Sequence, residues 1–231
     1  MRAFLLFESV IAIFIIGILC LFAKHTLHHQ IYHASEFLYT QLLYAQNLAL
    51  THSTQYTHIS QTQWLKDKFP SIYQEILISQ PTQWQIQFHL KGIYTKNSFS
   101  LYLDTPRYAN TTHYDNRPMS GDLIAIQGAN LRCLSGYNNT NISDFCKNNA
   151  ETKVRLQETF GVTITLKMQE NCKESNTARI FFDQFGKAYC GEKPTPITEP
   201  FIITLRQNQY SQKICLLPER NEILQGEECN L

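Results

Sequence analysis

The chain has 231 residues, enough for one domain and an additional segment. Its 20 basic and 19 acidic residues leave a formal charge of +1, which argues against the clustered basic face of a dedicated nucleic-acid binder. A content of 14 Phe and 12 Tyr, with frequent Asn, Gln and Thr, suits a β-rich domain with polar loops.

The chain begins Met1-Arg2-Ala3 and then turns apolar. From Phe4 to Ala23 there are 20 residues, interrupted by polar groups only at Glu8 and Ser9. At ~1.5 Å of rise per residue such a helix covers roughly 30 Å, the hydrocarbon thickness of a bilayer. The pattern therefore predicts a membrane-spanning segment. An ionisable residue at mid-bilayer costs at least ~2.5 kcal/mol, so Glu8 reads as functional and in need of a partner. The apolar run is long for a cleaved secretory signal. No small-residue cleavage site follows it; Lys24-His25-Thr26-Leu27-His28-His29 does. The small residue, Ala3, stands before the run. Without Glu8 the segment reads as a signal anchor.

The order is a basic residue, a small residue, Phe4, three apolar residues, Glu8 and a long apolar helix. It resembles the prepilin N-terminus of type IV pilins and type II secretion pseudopilins. The resemblance covers about 25 residues, and both the charge and its position are constrained. It implies cleavage by a membrane peptidase between Ala3 and Phe4, with methylation of the new amino terminus on Phe4. It makes Glu8 the fifth residue of the processed chain, paired with the amino terminus of a neighbouring subunit. That pairing would relieve two desolvation costs at once. A heterologous contact of this kind propagates as a filament rather than closing. Two departures stand out: Ala3 replaces the usual glycine, and Leu5 and Leu6 replace a common threonine.

The helical pattern continues past the apolar run. Ile31, Tyr32, Phe37, Leu38, Leu42, Tyr44, Ala45, Leu48 and Ala49 recur at three- and four-residue steps, and neither Gly nor Pro occurs between Ile18 and Thr51. One helix from about Phe4 to about His52 is expected, amphipathic in its second half. His25, His29 and His33 fall at i, i+4 and i+8, with His28 beside them. Two histidines at that spacing can hold a metal, but a polar band on the helix surface is the favoured reading.

Beyond Ser53 the chain is polar. Short helices are expected at Trp64 to Phe69 and Ile72 to Ile78. Trp84, Ile86, Phe88 and Leu90 alternate with Gln85, Gln87 and His89, which predicts a strand with one buried face. Phe99, Leu101 and Leu103 form a second strand, joined by a connection over Lys91 to Asn97. Thr105 to Gly121 is a long loop and a place for partner contacts. Leu123 to Ile126 is a short strand, Val154 to Phe160 a short helix, and Val162 to Met168 a third alternating strand.

Ala178-Arg179-Ile180-Phe181-Phe182 runs into Asp183-Gln184-Phe185-Gly186. Phe201 to Leu205, a turn at Asn208 to Ser211, and Ile214 to Leu217 follow. Over some 45 residues this resembles the C-terminal domain of minor pseudopilins of the GspH/FimT kind. That family usually has a glycine soon after the last strand. Here Pro218-Glu219-Arg220-Asn221 intervenes and Gly226 comes late.

Of seven cysteines, Cys20 lies in the apolar run and the other six lie in the C-terminal half. An even count in a translocated domain suggests disulfides. Many connectivities are open; the sequential one pairs Cys133 with Cys146, Cys172 with Cys190, and Cys215 with Cys229. No two cysteines have the two-residue spacing of a zinc knuckle, so no metal site is expected. No nucleophile elbow, P-loop, dinucleotide fingerprint or His-Glu-x-x-His occurs. Asp115, Asp122 and His113 read as solvated surface, and no dense acidic loop supports calcium.

The expected fold class is α+β: a long N-terminal transmembrane and amphipathic helix packed on an antiparallel β-sheet domain, pilin-like. Residues 1–3 are the leader, 4–23 the transmembrane half of the helix, 24–52 its amphipathic half, and 53–231 a β-rich extracytoplasmic domain. The resemblance implies a minor pilin or pseudopilin without a reaction or cofactor of its own. It would be a single-pass protein of the bacterial inner membrane with a periplasmic C-terminal domain. Its partners would be other pilin or pseudopilin subunits, the prepilin peptidase and an inner-membrane assembly platform. Two alternatives stay open: a tip subunit that captures DNA or an exported protein, and an unrelated signal-anchored protein.

Overall fold

The computed structural model describes residues 2–51, 84–91, 95–104, 117–119, 122–136, 142–191 and 195–229; of these, the side chains of 2–7 and 19–28 lie outside the description. The expected helices at 64–69 and 72–78, the connection around Gly92 and most of the loop 105–121 fall outside it.

A single helix, α1 (Arg2–Leu50), runs 49 residues without a break. Its second half is amphipathic. Ile31, Ala34, Leu38, Leu42, Ala45, Leu48 and Ala49 are fully or almost fully buried, and all follow three- and four-residue steps. Each buried aliphatic side chain on this stripe stabilises the fold by about 1.5–3 kcal/mol relative to exposure. The first half differs: from Glu8 to Ile18 every described side chain is exposed.

The rest of the described chain is mainly strands: β1 (Trp84–His89), β2 (Ser98–Leu103), β3 (Leu123–Ile124), β4 (Thr163–Lys167), β5 (Thr177–Phe182), β6 (Ala188–Cys190), β7 (Thr195–Pro196), β8 (Phe201–Gln207), β9 (Tyr210–Leu217) and β10 (Glu222–Gln225). Two short helices, α2 (Asp144–Asn148) and α3 (Leu156–Phe160), sit between β3 and β4. The strands make two antiparallel sheets. One has six strands in the order β3-β2-β1-β5-β6-β7, the other four in the order β10-β9-β8-β4. The helix touches β1 and β5 of the first sheet and β8, β9 and β10 of the second. One apolar core joins all three, with Trp84, Phe88, Phe99, Phe182 and Phe201 among its large members.

This corrects the expected architecture in two ways. The helix packs on two sheets rather than on one antiparallel sheet domain of pilin-like form. Among the described residues, moreover, no helix is long and apolar enough to cross a membrane. The transmembrane half placed at residues 4–23, and with it the single-pass inner-membrane location, is withdrawn on that ground.

The strand pairing explains why the sheet positions were readable. In β1 and β2, Ile86 faces Leu101 and Phe88 faces Phe99. The same β1 residues pair on the other side with Ile180 and Ala178 of β5. Apolar side chains therefore line one face of the central three strands, toward the core. The opposite face, however, is not the solvated surface that alternation predicts. All six residues of β1 and all six of β2 are buried. Residues 133–136 pair beside β2 in the plane of the sheet, with Ser135 bridged to Ser100 and Cys133 bridged to Ile126, and Cys146 of α2 is bonded to that segment. A second, small apolar cluster of Tyr102, Ile124, Cys133 and Cys146 forms there.

Three disulfides fasten this scaffold: Cys133–Cys146, Cys172–Cys190 and Cys215–Cys229, with Cα separations of 5.4, 5.1 and 5.7 Å. The pairs are sequential along the chain. The first holds α2 to the segment beside β2, the second ties the turn before β5 to β6, and the third ties the C-terminal turn to β9.

Turn chemistry completes the two sheets. Between β5 and β6, the Asp183 carboxylate accepts hydrogen bonds from the backbone N–H groups of Phe185 and Lys187, both at 2.9 Å, and Gly186 adopts φ 73°. Asn208 turns β8 into β9 at φ 53°, and Asn221 does the same into β10 at φ 52°. Asn221 thus takes the left-handed position for which a glycine was expected after the last strand.

Candidate functional site

Two places attract attention: the free half of α1 and the buried polar face of the first sheet.

Glu8 is exposed on α1. Behind it Val10, Ile11, Ile13, Phe14, Ile15, Ile16 and Ile18 are exposed as well, Ile13 by 71% and Phe14 by 68%. Isolated exposed apolar residues need no account, but a continuous run of this size marks an interaction surface. Ala3 and Phe4 belong to the same helix by their backbone; their side chains lie outside the described residues, as does that of Cys20.

The helix runs unbroken from this surface into the domain. Polar residues of α1 hold the helix to both sheets alongside the apolar stripe. Gln225 on β10 donates to the Ser35 hydroxyl at 2.8 Å. Gln46 donates to the carbonyls of Gly186 at 3.0 Å and Asn221 at 3.1 Å, spanning the β5–β6 and β9–β10 turns. Tyr44 donates to the Ile126 carbonyl at 3.3 Å. A narrow apolar groove lies beside Gln46, lined by Phe182, Ala188, Ile197, Leu216 and Ile223. Its polar lining is Gln46, Asn221 and Glu222.

The polar face carries the buried charges. Arg179 on β5 donates from Nε and Nη2 to the two carboxylate oxygens of Glu174, each at 2.9 Å, and both side chains are only 3% exposed. This is the bidentate geometry that suits a guanidinium and a carboxylate. The Thr177 hydroxyl also donates to Glu174. Nearby, His89 Nε2 lies 2.8 Å from the Ser100 hydroxyl, which lies 3.1 Å from that of Ser135 and accepts from Gly136 N–H. Tyr102 donates to Gln87 at 3.3 Å. His89 is fully buried, and desolvation pushes its pKa down to about 3. A histidine held neutral in this way beside the Ser100 hydroxyl serves as a hydrogen-bonding spacer within the sheet. Sequence alternation missed the whole layer, because Gln85, Gln87, His89, Ser98 and Ser100 have the residue types of an outward face, yet all five are buried.

The remaining expected sites disperse. His113 and Asp115 lie outside the described residues. Asp122 is fully buried, and its carboxylate accepts the Met119 N–H at 2.7 Å. His29 and His33 are exposed neighbours on α1, their ring centroids 4.1 Å apart; the side chains of His25 and His28 fall outside the description. Among the described residues no group of three or more His, Cys, Asp or Glu could hold a metal ion.

No known family model, curated protein or solved structure matches this chain. The functional reading therefore rests on the residues themselves.

Proposed function

We propose that the chain is a minor pilin or pseudopilin: a structural subunit of a type II secretion or type IV pilus-like filament, serving protein secretion or DNA uptake. The observation that carries this reading is the division of one helix into two halves. The half from Ile31 to Ala49 is locked into a core, while the half from Glu8 to Ile18 leaves its apolar side chains exposed among the described residues. Such a helix is built to pack on copies of related helices, and its buried half fixes the direction in which the free half projects.

Processing and assembly follow from the same segment. Cleavage between Ala3 and Phe4 by a prepilin peptidase gives Phe4 a free amine, methylated in the mature subunit. Packed among apolar helices, the Glu8 carboxylate needs a positive partner, and the Phe4 amine of a neighbour supplies one. The pairing fixes the axial offset between subunits, and repetition of a heterologous offset gives a filament. The subunit contributes structure and catalyses nothing.

The test is Ile13→Asp in the full chain, made in cells that assemble the filament. The side chain is exposed, so the domain keeps its unfolding temperature, while a carboxylate in the packed helix bundle prevents incorporation. Recovery of the variant in filaments at the wild-type level contradicts the proposal.

A further inference from the structure

We infer that His29 and His33 bind a divalent transition-metal ion of the zinc, nickel and copper class on the surface of α1. The two residues stand one turn apart, at i and i+4, so their side chains rise from the same side of the helix. Their ring centroids are 4.1 Å apart and the rings meet edge to face, at 71°. Both residues are exposed, and among the described residues neither ring is engaged by a hydrogen bond or an ion pair. Two imidazoles brought together at this spacing on a helix are a bidentate chelate, the arrangement that helical zinc sites use for two of their ligands.

The chemistry selects the ion. Neutral imidazole nitrogen suits zinc, copper and nickel and is a poor ligand for magnesium or calcium, which take oxygen. Glu36, the next acidic residue along the helix, does not complete a group of three. Among the described residues, His29 and His33 fill two positions of a tetrahedral ion. The site lies between the exposed apolar run and the buried half of α1. It depends only on the helix, and it stands whether or not the chain assembles into a filament.

Isothermal titration of the full chain, kept in non-ionic detergent because of its exposed apolar run, tests this with zinc chloride, nickel chloride and magnesium chloride. The expected result is saturable binding of zinc and nickel and none of magnesium. His29→Ala and His33→Ala each weaken zinc on the order of tenfold or more, and the double variant removes binding. The metal-free unfolding temperature stays the same in all of them, since both side chains are exposed. Zinc bound by the double variant with wild-type affinity overturns the inference, as does a wild-type chain with no saturable zinc binding.

Discussion

Replacing Glu174 by glutamine isolates the energetic weight of the buried polar face. The substitution keeps the shape and one acceptor oxygen but removes the negative charge. Arg179, 3% exposed, then stays in a dry environment without its counter-ion. Removing one partner of a buried pair costs about 3–5 kcal/mol, because the cost is that of an uncompensated charge rather than of one lost hydrogen bond. The paired change, Glu174→Leu with Arg179→Met, removes both charges and should be close to neutral, within about 1–2 kcal/mol of the parent. Urea unfolding of the parent, Glu174→Leu, Arg179→Met and the double variant, with the disulfides intact, gives the coupling from a double-mutant cycle, and Glu174→Gln is unfolded beside them. Strong destabilisation by Glu174→Gln with rescue in the double variant supports the reasoning. A loss below about 1 kcal/mol for Glu174→Gln refutes it, since the pair would then be no better than a surface ion pair.

The other predictions concern the same face. A Cβ added at Gly136 would stand 2.6 Å from Ser98 Cβ and Oγ and 2.9 Å from the Phe99 carbonyl oxygen. Gly136→Ala should therefore cost about 1–3 kcal/mol by overpacking, measured by the same unfolding curves, and an unchanged midpoint contradicts it. His89 gives a pH dependence with a definite sign. It is neutral in the folded state down to about 3, whereas the unfolded chain takes up the proton near 6.5. Stability from this residue is complete above about 6.5 and is lost as the pH falls toward about 3, by about 1.4 kcal/mol per pH unit. His89→Gln should flatten the fall in thermal midpoint between neutral pH and pH ~4.5; an identical slope in both proteins counts against the assignment.

Elements with strong periodicity were legible in the sequence, and those made by long-range closure were not. The stripe from Ile31 to Ala49 announces a helix because each step carries an apolar residue, and β1, β2 and β4 announce themselves by alternation. Strands β6 and β7 have three and two residues, too short for any period to show, and β10 exists because Asn221 turns the chain back along β9. The buried polar layer was unreadable for a different reason. Gln85, Gln87 and Ser100 have the chemistry of a solvated face, and their burial is not stated by any local pattern. In the free half of α1 the residue types were plain from the start. Their exposure depends on how far the domain reaches along the helix, where Gln207 still donates to Gln30, and a local pattern does not state that.

The central claim is that the first half of α1 is the assembly element of a processed filament subunit. Intact-mass and fragment analysis of the N-terminus of the native protein tests it most directly. The account predicts a chain that begins at Phe4 and carries one added methyl group on its amine. A chain that retains Met1, or one cut at any bond other than Ala3–Phe4, contradicts it.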